Sequence, residues 1–80
     1  MAAQAFGLLL SATEAEARYD CGRTEDDPER GVVVVRLHEP DRWHMEGRDD
    51  RPAFARNIAA RALRLRSTTG TWPSNASYQS

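Results

Sequence analysis

Apolar and polar positions recur along this chain with a period that changes from segment to segment, and the period sets which element each segment predicts. In residues 2–16, Phe6, Leu9, Leu10 and Thr13 fall at i, i+3, i+4 and i+7, the spacing of one helix face. The same stretch also reads as a short strand over residues 5–10, followed by a helix opened by a capping box in which Ser11 caps the Glu14 amide. Gly7 argues mildly against both. From Ala17 the period is two: Ala17, Tyr19 and Cys21 share one side, and Arg18, Asp20 and Gly22 the other. That alternation predicts a half-buried strand over 17–23.

Residues 24–30 hold four acids around Pro28 and too few apolar groups to pack, so they read as a solvated loop. Four consecutive valines make 31–38 a strand, because β-branched side chains are stiff at χ1 and favour a pleated surface. A second segment, 42–47, follows Glu39-Pro40-Asp41 and predicts a hairpin turning at Pro40. Parity chooses its register. An odd loop with Arg42 as a bulge places Val33, Val35 and Leu37 on the same face as Trp43 and Met45, whereas a two-residue loop mixes polar and apolar groups on both faces. The odd loop sets His38 opposite His44 and Arg36 opposite Glu46 on the solvent face.

Residues 52–66 predict a further helix: Asp49 and Asp50 precede it, Pro52 suits its first turn, and Arg64 and Arg66 close it. Phe54, Ile58, Ala62 and Leu65 form its apolar stripe, Arg56, Arg61, Arg64 and Asn57 its far side, and Leu63 stands roughly opposite the stripe as an oligomer contact or an exposed leucine. Residues 67–80 have the composition of a flexible tail, in which Trp72 either folds back or anchors a partner. The expected fold class is α+β, in the order α-β-β-β-α, with a three-stranded antiparallel sheet and both helices on one face. Its core would hold Tyr19, Val33, Val35, Leu37, Trp43, Met45, Phe54, Ile58 and Leu65, with a single domain over 1–66.

Charge changes the picture more than composition does. All twelve acids lie at or before Asp50, so with six arginines residues 1–50 carry −6, while five arginines give residues 51–80 a charge of +5. Such an asymmetry serves an external anion or packs one half of the chain against the other. Lysine is absent, which points to codon bias more than to phosphate clamps. The single cysteine, Cys21, forms no intramolecular disulfide and reads as a buried strand thiol. With no signal-peptide pattern and no apolar span, a cytoplasmic location is expected, without membrane association.

Candidate chemistry is sparse. The acidic loop lacks the spacing and internal glycine of a calcium loop, and the facing histidines lack further ligands, so no metal or cofactor is expected. No nucleophile elbow, phosphate-binding glycine loop or HExxH occurs, and the chain is read as non-enzymatic.

The predicted element order, with the run Ala55-Arg-Asn-Ile-Ala-Ala-Arg-Ala-Leu63, resembles the double-stranded-RNA-binding domain, whose second helix has a similar alanine-rich periodicity. The resemblance implies that the start of this helix and the loop at 24–30 would meet RNA. Here the start, Gly47-Arg-Asp-Asp-Arg-Pro52, offsets two arginines with two aspartates in place of the family's lysine cluster, and the loop is acidic. Two functions follow. One is a protein-interaction or accessory domain, docking a protein or a second copy through Arg36, His38 and His44 on the sheet, Leu63, or Trp72. The other is nucleic-acid binding through Arg56, Arg61 and Arg64, with Arg48 and Arg51 at the start of the helix, and mixed charge favours the first.

Overall fold

The computed structural model describes residues 4–79. Its elements are β1 (Gln4–Ala12), β2 (Glu16–Gly22), β3 (Gly31–Arg36), a 3-10 turn (Pro40–Arg42), β4 (His44–Met45), α1 (Ala53–Thr69) and β5 (Tyr78–Gln79). The strands form one antiparallel sheet in the order β4-β3-β2-β1-β5, and α1 lies across one face of it. The α+β class is as expected. The element count is not: among the described residues one helix and five strands are observed where two helices and three strands were expected.

The segment expected as a first helix is β1, with residues 2 and 3 of that expectation outside the described residues. Its burial alternates, with Ala5 and Gly7 inward and Leu8 outward, which is the strand reading extended in both directions. The capping-box helix does not form. Thr13 takes over the turn instead: its amide donates to the Glu16 carbonyl at 2.7 Å, and its hydroxyl accepts the Ala15 and Glu16 amides at 3.3 and 3.2 Å. A local side-chain acceptor of this kind offers the backbone an alternative to the helix and closes the β1/β2 hairpin. Between Leu9 and Ser11 the register shifts, and Leu10 is the extra residue of a bulge.

β2 and β3 follow the expected alternation, burying Ala17, Tyr19 and Cys21 beside Val33 and Val35. The β3/β4 hairpin keeps the expected parity but not the register. Val33 pairs with Met45 and Val34 with His44, four residues from the expected His38 partner, because the chain turns through the 3-10 helix at Pro40 instead of bulging at Arg42. A slip by an even number keeps the same residues facing the helix. It separates every polar pair that the tighter turn would have made.

Burial along α1 centres on Ala55, Ala59 and Ala62, flanked by Phe54 and Ile58. Small residues there let the helix approach the sheet closely, and at Gly7 a Cβ would stand 2.7 Å from Ile58 Cγ2. The stripe is turned toward the alanines, so Leu63 packs at its margin instead of opposite it, and Leu65 is half-buried outside the core. Of the expected core, Tyr19, Val33, Val35, Met45, Phe54 and Ile58 are in place, while Trp43 is partly buried at the edge and Leu37 lies outside the cluster.

The helix runs on to Thr69 and stops at Gly70, whose φ of 82° is left-handed and whose amide donates to the Arg66 carbonyl at 2.9 Å. The stretch read as a flexible tail then returns along β1. Leu9 N donates to Ser74 O at 3.0 Å and Ala76 N to Gly7 O at 2.9 Å, and β5 pairs with Gln4 and Ala5. Side chains fasten it: Tyr19 Oη donates to Pro73 O at 2.7 Å, Trp72 Nε1 donates to Thr13 O at 2.8 Å, and Gly7 N donates to Ser77 Oγ at 3.1 Å. Ser80 lies outside the described residues.

Candidate functional site

With one helix and a sheet, only one sheet face is covered among the described residues. The other presents Phe6 and Leu8 from β1, Arg18 and Asp20 from β2, Val32 and Val34 from β3, and His44 from β4, with Leu8↔Asp20↔Val32 and Arg18↔Val34↔His44 as cross-strand rows. Two bidentate pairs organise this face. Arg18 donates through Nε and Nη2 to Glu46 at 2.7 Å each, and Arg30 through Nε and Nη2 to Asp20 at 3.0 and 2.6 Å. The Arg18 guanidinium holds the Glu46 carboxyl below the usual glutamate range. Arg30 also lies 5.1 Å over the Phe6 ring. Val34, flanked by these charged rows, is only 3% exposed, but Leu8 remains 44% and Leu10 53% exposed.

The charge asymmetry of the sequence resolves in an unexpected way. All six arginines of residues 1–50 have acidic partners: Arg18 with Glu46, Arg23 with Asp27, Arg30 with Asp20, Arg36 and Arg42 with Glu39, and Arg48 with Asp50 and Glu29. Among the described residues, none of the five arginines after Asp50 forms an ion pair. Arg51 stacks 4.2 Å over Trp43 and donates to the Asp41 and Trp43 carbonyls, both at 2.8 Å. Arg66 donates to the Glu14 carbonyl at 3.2 Å. Arg56, Arg61 and Arg64 remain: Arg56 and Arg64 are exposed, and Arg61 is half-buried on the flank of α1 beside β5.

Asn57, Arg61 and Arg64 stand at i, i+4 and i+7, one ridge of α1. With Ala60, and with Tyr78 from β5, they line a shallow groove of about 180 Å³. The Nε of Arg61 is buried and has no hydrogen-bond partner among the described residues.

The other expected site residues are scattered. Arg36, 3.9 Å from Glu39, shares a small depression with His38. His44 is exposed on the open sheet face, so the facing His38/His44 pair and the Arg36/Glu46 pair are not formed. Glu46 belongs to Arg18 instead. Leu63 and Trp72, expected as partner anchors, are partly buried against the core. Sequence reasoning missed Phe6, Leu8 and Leu10, for which the signal was the strand pattern within residues 5–10, and Tyr78, whose place on β5 had no local signal.

The acidic loop is organised from within. Asp27, 7% exposed, accepts the Arg23 guanidinium at 2.8 and 2.9 Å, the Arg23 amide at 2.8 Å and the Glu29 amide at 2.9 Å. These donors, the Arg23 side chain first, hold its carboxyl well below the usual aspartate range. Among the described residues no group of three or more His, Cys, Asp or Glu is placed to hold a metal ion. Cys21 is fully buried, and burial pushes its thiol up to about 12, which leaves it a poor nucleophile. No helix among the described residues is long and apolar enough to cross a membrane.

Comparison with protein-family models, curated proteins and solved structures finds no match. The resemblance to the double-stranded-RNA-binding domain therefore rests on the sequence alone.

Proposed function

We propose that this chain is a non-catalytic protein-interaction domain that docks a protein partner or a second copy of itself through the open face of its sheet. One observation carries the reading: among the described residues the sheet is covered on one side only, and on the other Leu8 stands exposed beside two bidentate arginine–carboxylate pairs, with Leu10 exposed at the neighbouring bulge of β1. Burying exposed apolar side chains supplies affinity, and fixed ion pairs around them supply orientation and selectivity. Nucleic-acid binding through Arg56, Arg61 and Arg64 is the second reading, favoured by the absence of acidic partners around them among the described residues. The exposed acids Glu25, Asp26 and Asp49 oppose a long polyanion, which keeps it second.

The experiment is light scattering after size exclusion, joined to affinity capture with wild type and a Leu8→Glu/Leu10→Glu variant. Both substitutions are at exposed positions, so the variant should keep its fold. Wild type should self-associate or retain a defined protein that the variant does not. Identical mass and identical capture for the two proteins would refute the reading.

A further inference from the structure

We propose that the groove between α1 and β5 is a binding site for a phosphate oxyanion, held by Arg61 and Arg64 with Asn57 and Tyr78. The site lies on the opposite side of the molecule from the open sheet face and goes beyond the interaction reading. Its residues are matched to one kind of ligand. Two guanidinium groups, one amide NH2 and one phenol offer donors, and among the described residues no acid lines the groove to compete for them. Two positive charges suit a phosphate monoester, which carries about −1.5 to −2 at neutral pH, better than a singly charged carboxylate. The groove's volume of about 180 Å³ admits one such group, not a large organic ligand.

The buried Nε of Arg61 is the second observation. Buried polar groups are nearly always hydrogen-bonded, and an unpaired donor on a charged side chain is among the costlier exceptions. An oxyanion seated between Arg61 and Arg64 accepts from the guanidinium edges turned to the groove, and a small turn of the Arg61 side chain brings its Nε to the same acceptor. Residues three and four apart on a helix are surface neighbours, so Asn57, Arg61 and Arg64 reach one small ligand together, and β5 brings Tyr78 to the same place from the far end of the chain. Arg56 lies outside the lining and serves as the internal control.

The test is a titration of nitrogen-15-labelled full chain with inorganic phosphate and pyrophosphate at constant ionic strength, following the arginine Nε–H resonances. The expected result is a saturable shift at Arg61 and Arg64, with Arg56 unmoved and chloride without effect. Arg61→Lys keeps the charge but loses the fork and the Nε donor, and should weaken binding on the order of tenfold to a hundredfold. Arg64→Gln, at an exposed position, should do the same without disturbing the fold. Equal binding by these variants, or shifts at all arginines that merely track ionic strength, would overturn the proposal. A single-stranded oligonucleotide forms the second arm. Tighter, more salt-dependent binding than pyrophosphate, weakened by Arg56→Gln, identifies a polynucleotide as the source of the phosphate; equal binding identifies a small phosphorylated molecule.

Discussion

Gly7→Ala isolates the contact on which the layering of this domain depends. A Cβ built at Gly7 stands 2.7 Å from Ile58 Cγ2 and 3.0 Å from Ile58 Cδ1, against about 3.5–4.0 Å for carbon atoms in comfortable contact. Either Ile58 leaves its rotamer or α1 lifts from the sheet, opening the seam at Ala55, Ala59 and Ala62. Overpacking of this kind costs about 1–3 kcal/mol. Against it stands the reduced freedom of the unfolded chain, which favours alanine by about 0.4–1 kcal/mol because Gly7 has no positive φ. The clash wins, and a net loss of about 1–2 kcal/mol is expected. With a urea dependence of roughly 1 kcal/mol per molar, the midpoint should fall by about 1–2 M. Ile58→Ala alone should cost about 2–5 kcal/mol through the cavity it leaves. In that background the clashing atoms are gone, so Gly7→Ala should become neutral or mildly stabilising, a coupling that a double-mutant cycle reads directly. A higher midpoint for Gly7→Ala in the wild-type chain, or the same loss in both backgrounds, would refute the reasoning.

Tyr19→Phe removes the hydroxyl that donates to Pro73 O and should cost about 1–2 kcal/mol, because a partly buried carbonyl loses its partner. Amide exchange at Ala76 and Leu9 should accelerate more than exchange in β2 and β3; uniform acceleration would mean that Tyr19 does not fasten the returning segment. Asp27, whose carboxyl is depressed by folding, contributes stability that is complete above the ordinary aspartate value of about 3.9 and is lost as pH falls through its lower folded value. Its carboxyl carbon resonance should still report the ionised form at about pH 3. Asp27→Asn should be less stable at neutral pH and should lose less on acidification; a resonance titrating at the ordinary value would contradict the assignment.

The parts of the fold that were legible in the sequence are those where one period dominates. Ala17, Tyr19 and Cys21 alternate without a competing pattern, and Phe54 to Ala62 repeats as a helix with a proline before it and basic residues at its end. Residues 5–13 satisfied two periods at once. Gly7 held the deciding information, since its lack of a side chain matters only once a helix crosses it, and that is a tertiary fact. Parity of the β3/β4 hairpin followed from Val33, Val35 and Met45, but loop length did not, because a slip of four leaves the same faces buried. For that reason much of the core was readable while the pairs on the solvent face were not. Residues 71–79 are held largely by backbone hydrogen bonds to the edge of β1, which composition does not encode; Trp72, Ala76 and Tyr78 were their only apolar signals.

The distribution of ion pairs bears on both surfaces. A chain with twelve acids could have placed one three or four residues from Arg56, Arg61 or Arg64, where each helix pair would add about 0.2–0.5 kcal/mol. Instead Arg61 and Arg64 stand three residues apart with like charge, a destabilising arrangement of similar size, while all six arginines of the first fifty residues are neutralised. The open sheet face is thus rimmed by compensated pairs and offers apolar area with little net field, as a protein surface demands. The outer side of α1 offers field without apolar area, as an anion demands. Because the sheet separates the two, occupation of one leaves the other accessible, and Leu8→Glu/Leu10→Glu should leave phosphate binding unchanged while Arg64→Gln leaves association unchanged. Loss of both properties in either variant would place them on one surface and contradict the layering from which each was argued.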